Sequence, residues 1–575
     1  MVRRTLERFT APIRDLKKAA YLRIIAPVRG LHQAAYLLAV LTLASQALAL
    51  LRDRTFAHTF GAGQILDIYY AAFRVPDIVF ALVSSLVSAY VIIPRITGMD
   101  RESIQRLLSE SATFLIGFGG MLCVGLGIFM PQFLSFLYPN LMASSLQTEF
   151  VFLGRLLLLQ PILLGLSGIL GSVTQVHRRF VLFAISPVLY NIGIILGAVF
   201  LYPLWGLPGI GVGVIIGAVG YLLVNIPVLM DARVMPTFRM PVWSRMLSVM
   251  RDSIPRSLAL GVGSCTSLIL TSLASRVGTG AVSVFTFASN LEAVPLALIG
   301  SSYAVAAFPA LSETSAHGRR SEFAAILSAS ARHIILWSIT ALGLITVLRA
   351  HLVRVILGTG AFDWNATRLT AALLVILAIG LAAQGLTLLF SRALYAVRQS
   401  WRPLLYQIIG GGLTVILATV FISPSAKSLA PLVSAYLKVS DIPGTNILLL
   451  AVAATAGQVF LAILSLFALR SITPGLAYTL LRPLRDGLIA AISGGVATYG
   501  ILLFEGGFAP LTTLMSVFIQ GFIAGLVGIS VSAITLYLTQ NDEFRIVVQA
   551  LSRLGRTSLN QTPVLEPSAE EPVQP

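Results

Sequence analysis

Long apolar runs separated by short basic or polar turns dominate the chain. Each run is long enough to cross the roughly 30 Å hydrocarbon core of a bilayer as a helix. The pattern predicts an all-α polytopic membrane protein. Its fourteen predicted spans lie near residues 31–51, 65–94, 110–132, 150–172, 181–202, 207–230, 254–276, 281–309, 328–350, 369–393, 403–423, 445–469, 482–504 and 511–538.

An internal repeat divides these spans. The segment QVHRRFVLFAISPVLYNIGIILGAVF at 175–200 is similar to YAVRQSWRPLLYQIIGGGLTVILATVF at 395–421. Both enter a helix through a basic turn and a Pro-x-Leu-Tyr-amide motif, at Pro187 and Pro403. Chance similarity between apolar segments is the alternative, but the shared turn motif favours duplication, as in many alternating-access transporters. The repeat predicts an N-lobe at 31–230, a C-lobe at 253–470 and two further helices at 471–540.

Three more polar segments complete the predicted organisation. Residues 1–30 are basic and amphipathic, which is typical of a cytoplasmic helix lying against anionic lipid. A cleaved signal peptide is the alternative, but the apolar run after residue 30 starts too late and is too long for one. Residues 231–252 are predicted to form an amphipathic cytoplasmic linker between the lobes. Residues 541–575 are predicted to form a cytoplasmic tail that is partly disordered.

Composition and charge agree with a membrane protein. The chain is 57% hydrophobic and 11% charged, whereas soluble proteins carry about a quarter charged residues. The net charge of +17 does not indicate nucleic-acid binding, because the cations lie between apolar spans. With fourteen spans, 29 of the 40 Lys and Arg residues lie on the side of the termini, 8 lie on the opposite side and 3 lie within spans. This bias predicts that both termini are cytoplasmic.

No arrangement of residues indicates catalysis. The chain lacks a phosphate-binding loop, an HExxH motif and a Gly-x-Ser-x-Gly motif. Cys123 and Cys265 lie inside apolar segments, and the six histidines have no metal-ligand spacing. The sequence therefore predicts a protein that is not an enzyme and has no metal or cofactor.

Charged residues interrupt the apolar pattern between residues 45 and 94. The first predicted span ends near Leu51, and the second begins after Gly63. Charge at membrane depth usually faces a bundle interior or a water-filled cavity, and proline kinks a helix. The interrupting residues are Arg52, Asp53, Asp67, Arg74 and Pro76. They predict the kinked, charged wall of a membrane pathway. The alternative is that the charged residues anchor the helices at the membrane interface or extend towards it.

This same region carries a resemblance. The string LRDRTFAHTFGAGQILDIYYAAFRVPD at 51–77 resembles the signature of the MurJ/MviN family, the lipid II flippases of bacterial cell-wall synthesis. The strings ILGTGAFD at 356–363 and RALYAVRQSWRPLLYQ at 392–407 agree with it, and the resemblance spans roughly 35–540. It implies a flippase of the multidrug/oligosaccharidyl-lipid/polysaccharide exporter superfamily in the bacterial cytoplasmic membrane. The implied substrate is a polyprenyl-pyrophosphate-linked saccharide, with lipid II as the first candidate.

Such a substrate suggests where it would bind. Its pyrophosphate suits arginine, whose planar fork binds two oxygens at once. The arginine candidates are Arg52, Arg74 and Arg256. Polar residues of spans 1, 2, 7 and 8 could line the rest of the site, although serine and threonine often bond only to their own helix. These lining candidates are Gln46, Asp67, Ser84, Ser85, Ser264, Thr266, Asn290 and Glu292, and the predicted hinges are Pro76 and Pro295.

The chain departs from the family at several of these positions. Arg52 and Asp67 match family residues, and Arg74 matches a basic position. Positions that are arginine in the family hold Gln46, Phe80 and Asn290 here, and acidic positions hold Ser85 and Ala293. Two alternatives to a lipid II flippase follow. One is a flippase for another polyprenyl-pyrophosphate-linked glycan, and the other is a transport-inactive scaffold whose partners would be cell-wall synthesis proteins.

Overall fold

The computed structural model describes residues 31–83, 87, 89–177, 179–423, 428–506 and 513–557. The predicted basic N-terminus at 1–30, the lining candidates Ser84 and Ser85, and the tail beyond residue 557 lie outside the described residues. All regular elements in the described part of the chain are helices.

Six long helices form the N-lobe, and several are made of consecutive segments. Proline and glycine at the breaks explain most of the interruptions, since both weaken a continuous helix. The helices are α1 (Leu31–Phe60), α2 (Gln64–Leu82 and Ala89–Ile96), α3 (Arg101–Phe114, the π-helical turn Leu115–Gly119 and Gly120–Ile128), α4 (Gln147–Leu157 and Leu159–Val176), α5 (Phe180–Leu196, the π-helical turn Gly197–Leu201 and Tyr202–Trp205) and α6 (Leu207–Leu223 and Ile226–Ala232).

Eight more helices form the C-lobe and the C-terminal pair. They are α7 (Trp243–Ser275), α8 (Ala281–Pro295, the π-helical turn Leu296–Ser301 and Ser302–Ala316), α9 (Arg320–Ile356), α10 (Trp364–Ile379 and Leu381–Ala396), α11 (Trp401–Ile422), α12 (Ile447–Leu469), α13 (Leu476–Thr479 and Leu481–Gly506) and α14 (Leu514–Leu538). Shorter helices cover Met130–Leu137, Pro139–Met142, Leu429–Tyr436 and Asp542–Thr557.

The predicted fold class is confirmed. Eleven of the long helices in the described part of the chain, α3 to α9 and α11 to α14, have the length and apolar composition of membrane spans. The two halves of α10 make a twelfth if they count as one span bent by 45° at Gly380. The helices α1 and α2 occupy the places of the first two predicted spans. The chain is a multi-pass membrane protein.

One predicted helix boundary was wrong, and another helix extends beyond its predicted membrane span. The helix α1 does not end near Leu51 but continues to Phe60, so Arg52 and Asp53 lie within it. Its last turns are stable because Phe56 and Ala57 are fully buried, which compensates for the polar residues around them. The helix α7 begins at Trp243, inside the segment predicted as a linker, and it continues through Pro255 as a single 33-residue helix.

The two lobes are built alike. In the N-lobe α5 packs against α1 and α6, and in the C-lobe α11 packs in the same way against α7 and α12. The basic turns and Pro-x-Leu-Tyr motifs of the repeat therefore mark equivalent helices. The pair α13 and α14 packs against α9 and lies outside both lobes.

The segment between the lobes is held to α3. The Gln105 side chain donates a hydrogen bond to the carbonyl of Met235 at 2.8 Å, and the backbone N–H of Thr237 donates to Ser109 Oγ at 2.9 Å. The buried carboxylate of Glu110 then pairs with Arg245, in the first turns of α7, at 2.7 Å. These bonds fix the start of α7 to the N-lobe.

Polar contacts also anchor the helix that follows α14. Asn541 and Asp486 are fully buried, and the Asn541 amide donates to the Asp486 carboxylate at 2.9 Å. Next along the chain, Asp542 pairs with Arg482 at 2.9 Å and Glu543 pairs with Arg332 at 2.8 Å. The start of the C-terminal helix is therefore bound to α9 and α13.

Candidate functional site

The lobes are joined by polar contacts at the end of the bundle where α1 leads into α2, called here the outer end. The backbone N–H of Ala361 donates to the carbonyl of His58 at 2.9 Å, and Arg54 Nη1 donates to the carbonyl of Val355 at 2.6 Å. These contacts link the α1–α2 turn of the N-lobe to the α9–α10 turn of the C-lobe. The outer end is closed in this structure.

A buried carboxylate completes this closure. Asp67, in the first turn of α2, accepts hydrogen bonds from the backbone N–H groups of Gly280 at 2.6 Å and Ser283 at 2.8 Å. It also accepts a bond from Ser283 Oγ at 2.6 Å. Gly280 and Ser283 stand at the start of α8, where a helix has unpaired N–H groups and the positive end of its dipole. Asp67 of one lobe therefore caps a helix of the other. We call Asp67, Gly280 and Ser283 the seal.

Two glycines allow the turns to come this close. Gly61 has a φ of +64° and Gly280 a φ of +82°, which glycine adopts readily. A Cβ atom at Gly61 would lie 2.5 Å from the carbonyl oxygen of Ala361, and one at Gly280 would lie 2.6 Å from that of Ala62. Side chains at these positions would push the lobes apart. The close approach of the lobes thus explains the glycine at the first position of the Gly-Ala-Gly turn.

A second set of polar residues lies deeper in the bundle. Arg52 donates to Asp53 at 2.8 Å and to Asn191 of α5 at 3.2 Å. Asp53 in turn accepts a bond from the Asn290 amide of α8 at 2.8 Å. Counted along the helices at 1.5 Å per residue, Arg52 and Asn290 both lie roughly 12–14 Å from the outer ends of α1 and α8. They form one layer across the lobe interface.

Arg74 belongs to the same layer. It lies ten residues into α2, roughly 15 Å from its start. Its guanidinium is 3.7 Å from the carboxylate of Asp77, and its Nε is buried without a hydrogen-bond partner in the described part of the chain. Tyr70 lies within electrostatic range of Arg74 and of Arg52 and Asp53. We call Arg52, Asp53, Arg74, Asp77 and Asn290 the polar layer.

The polar layer contains two arginines and two aspartates, so its formal charge is zero. Arg52 keeps 20% of its side-chain surface exposed, and Arg74 keeps the same fraction. Part of each side chain therefore remains accessible, although each guanidinium already has a carboxylate neighbour. An anion that binds here must compete with Asp53 and Asp77.

Other predicted site residues lie elsewhere. Gln46 is half-buried six residues before Arg52, roughly 9 Å further from the outer end. Arg256 lies 19 residues from the outer end of α7, roughly 28 Å, and close to Tyr395. Glu292 points into the C-lobe, where its Oε1 accepts a bond from Gln384 of α10 at 2.5 Å. The structure does not bring these three together with Arg52.

The remaining sequence candidates also have definite places. Pro76 lies within the continuous segment Gln64–Leu82 of α2, and Pro295 is the last residue of α8 before its π-helical turn. Thr266 donates to the carbonyl of Val262 on its own helix, as serine and threonine often do. Pro76 directly precedes Asp77 of the polar layer in the chain.

Sequence reasoning missed three participants. Asp77 follows Pro76 directly, and its pairing with Arg74 at i, i+3 could have been predicted from helical spacing. Asn191 is the amide of the repeated Pro-x-Leu-Tyr-amide motif, but only the packing of α5 on α1 places it beside Arg52. Tyr190, the preceding residue, accepts a hydrogen bond from the Gln160 amide at 3.0 Å.

An apolar groove runs between α9 and α14. Its volume is about 280 Å³, and it is lined by Leu348, Leu352, Phe518, Phe522 and Leu526 among others. At one side His351 bonds to Gln520 across the two helices, 3.1 Å between Nε2 and Oε1. The lining of the groove is almost wholly apolar, so it suits a hydrocarbon segment rather than a polar group.

The sequence is similar to known proteins of one family. The sequence model of the family described as lipid II flippase MurJ matches residues 56–427. The lipid II flippase MurJ of Burkholderia cenocepacia is 26% identical over 378 residues, which cover 63% of this chain and 72% of that protein. The probable lipid II flippase MurJ of Thermotoga maritima is 25% identical over 383 residues, covering 66% of this chain and 77% of that protein.

Solved structures show the same fold. A lipid II flippase MurJ in an inward closed conformation superposes with a TM-score of 0.69 at 20% identity, covering 88% of this chain and all of that one. An inward-facing multidrug resistance MATE transporter of the MOP superfamily gives 0.60 at 17% identity, covering 76% of this chain and 96% of that one. The family match extends over more than half of the sequence and includes the seal and, from the polar layer, Arg74, Asp77 and Asn290. The chain therefore belongs to the lipid II flippase MurJ family.

Proposed function

We propose that this protein moves lipid II, the lipid-linked peptidoglycan precursor, across the bacterial cytoplasmic membrane by alternating access of its two lobes. The observation that carries the proposal is the polar layer across the lobe interface in a chain of this family. Opening and closing of the outer end would expose this layer alternately to the two sides of the membrane. Membrane lipids surround the protein in this account, and the substrate is its small-molecule partner.

The head group would bind at the polar layer. A pyrophosphate carries several negative oxygens, and arginine can bind two of them at once. Arg52 and Arg74 lie at the same depth, and Arg74 has a buried Nε that can still donate a hydrogen bond. Asp67, nearer the outer end, stabilises the closed state and would not contact the head group. Arg256 and Gln46 lie further from the outer end and would meet the substrate earlier on its path.

The hydrocarbon tail would remain at the protein surface. A polyprenyl chain gains no free energy by entering a polar cavity, because its apolar surface is already removed from water in the bilayer. The groove between α9 and α14 offers it an apolar path beside the C-lobe. Head and tail would then move along separate surfaces of one protein.

The orientation is part of the proposal. The charge bias of the sequence supports cytoplasmic termini, and the outer end would then face away from the cytoplasm. In this orientation the closed seal blocks the exit side. The polar layer would be reached from the cytoplasmic side, where lipid-linked precursors carry their newly made head groups.

Binding measurements test this assignment. Native mass spectrometry of the purified protein would compare lipid II with a polyprenyl pyrophosphate that carries a different glycan. Arg52→Ala removes a charged hydrogen-bond donor, which costs about 1.5–3 kcal/mol. Lipid II affinity should therefore fall roughly ten- to hundred-fold. The matched control is Arg155→Ala, an exposed arginine of α4 that donates to the carbonyl of Gly127.

The outcomes separate the alternatives. Selective binding of lipid II that is lost in Arg52→Ala and kept in Arg155→Ala supports the proposal. Preference for the other glycan would make the protein a flippase for that class of substrate. Absence of binding to every lipid-linked saccharide would favour the scaffold alternative.

A further inference from the structure

The C-lobe encloses a polar cavity that is separate from the polar layer. Its volume is about 320 Å³, and its walls come from α7, α8, α10, α11 and α12. Its polar lining includes several threonines and the side chains of Gln384, Gln407 and Gln458. Several hydroxyl groups are already paired, since Thr414 donates to its own helix and Thr455 to the carbonyl of Ile376.

Glu292 is the single acidic group among the described residues that line this cavity. The residue is 5% exposed. Its Oε1 accepts the 2.5 Å hydrogen bond from Gln384 Nε2. No hydrogen bond or ion pair holds Oε2 in the described part of the chain. None of the described residues lining the cavity is a lysine, arginine or histidine. The carboxyl group thus lies at membrane depth without a cation.

An uncompensated charge in this position is costly. Removing a carboxylate from water without a partner cation carries a large desolvation penalty, and the usual result is that the group takes up a proton. The side-chain amide of Gln384 donates one hydrogen bond to Glu292. One such bond does not replace the water molecules that an exposed carboxylate would bind. In the closed state seen here, the neutral acid is the form that this cavity accommodates.

The position of Glu292 on α8 connects the cavity to the lobe interface. Two residues before it, Asn290 bonds to Asp53 across the interface, and at the start of the same helix Ser283 bonds to Asp67. Three residues after Glu292, Pro295 ends the α-helical segment and a π-helical turn follows. Such turns mark places where a helix can change its course. A change at Glu292 would therefore be transmitted along α8 to the seal.

We propose that Glu292 takes up and releases one proton in each transport cycle, and that its neutral form stabilises the state with the outer end closed. The proton comes from bulk water on one side and returns to bulk water on the other, so no bond other than the O–H changes. Because a ligand shifts a two-state equilibrium only through its different affinities for the two states, the proton must bind more tightly when the outer end is closed. This inference rests on the alternating access of the proposed function, but not on the identity of the substrate.

Other titratable groups could produce a pH response. On the opposite face of α8, the charged groups are Asp67 in the seal and Asp53 and Arg52 in the polar layer. From α7, α10, α11 and α12, no described titratable side chain lines the cavity. A test must therefore separate Glu292 from the two aspartates.

The experiment measures the distance between the lobes at the outer end as pH changes. Spin labels at Ser145 and Ser440, both exposed, would be introduced into the full chain with Cys123→Ser and Cys265→Ser. Pulsed electron resonance in nanodiscs from pH 5 to pH 9, without lipid II, reports the outer-closed fraction. Each sample is measured in choline and in sodium buffers.

In the wild type, the ratio of closed to open forms should rise as pH falls, by up to tenfold per pH unit, as expected for one proton. Glu292→Gln should stay closed at every pH, because its amide imitates the neutral acid. Glu292→Asp should keep a pH transition at a different midpoint, because it retains a carboxyl group. Its transition would show that a substitution at this position leaves the protein folded. Asp67→Asn should favour the open form overall while keeping the wild-type dependence on pH.

Two results would overturn the proposal. One is a wild-type transition that persists unchanged in Glu292→Gln. The other is a closed fraction that follows sodium concentration at constant pH. Because no lipid-linked saccharide is present, these results do not depend on whether lipid II is the substrate.

Discussion

The seal makes a quantitative prediction about Asp67. In the Asp67→Asn variant the amide oxygen can still accept bonds from Ser283, but the amide NH₂ group then faces the N–H of Gly280. One charged hydrogen bond is lost, at about 1.5–3 kcal/mol. The loss of an anion at the start of α8 adds between about 0.3 and 2 kcal/mol. The closed form should therefore lose about 2–5 kcal/mol relative to the open form.

This difference is large enough to change the populations of the two states. At about 1.4 kcal/mol per factor of ten, the ratio of closed to open forms should fall roughly thirty- to several-thousand-fold. The distance between labels at Ser145 and Ser440 at a single pH measures this ratio directly. The matched control is Asp363→Asn. Asp363 also caps a helix, accepting from Ala366 at 2.8 Å, but within one lobe.

The reasoning would be refuted by an unchanged distance distribution in folded Asp67→Asn protein. It would be refuted equally if Asp363→Asn opened the outer end to the same extent. Either result would mean that capping of α8 across the lobes contributes little to closure, and that the backbone contact between Ala361 and His58 holds the outer end closed.

Two further predictions concern topology and stability. With cytoplasmic termini, a cysteine replacing Ser440 should react with a membrane-impermeant reagent added outside cells, and one replacing Ser321 should not; the reverse pattern would contradict the proposed orientation. Asp486→Ala should destabilise the protein by about 1.5–3 kcal/mol, because it removes a fully buried carboxylate that accepts a hydrogen bond from Asn541, although its partner Arg485 is exposed. Thermal unfolding in detergent would show this, whereas Ala at the exposed Asp542 should cost less than about 1 kcal/mol.

Much of the architecture could be predicted from the sequence. Fourteen apolar runs predict the long helices, and the repeated basic turn at Pro187 and Pro403 predicts two similar lobes. These features are local or periodic, so they can be detected without knowledge of the packing. The extension of α1 to Phe60 could not be predicted in this way, because it depends on the burial of Phe56 against Tyr69 of α2, with ring centres 4.9 Å apart.

The site was predicted less completely. Charge at membrane depth drew attention to Arg52, Asp67 and Arg74, but it could not distinguish a group that closes the lobes from a group that faces a ligand. That distinction depends on which helix of the C-lobe stands opposite each residue. Glu292 shows the same limit, since two residues of helix separate it from Asn290 and turn it by about 200° into a different cavity.

The central claim is that this chain translocates lipid II, and rescue of a bacterial strain depleted of its own lipid II flippase tests it most directly. Cells that express the wild-type chain should grow and should deliver lipid II to the outer leaflet, where an added enzyme can act on it. Cells with the Arg155→Ala control should do the same. Cells with Arg52→Ala should fail although the protein reaches the membrane. Continued lysis, with wild-type protein folded in the membrane and no lipid II reaching the outer leaflet, would contradict the claim.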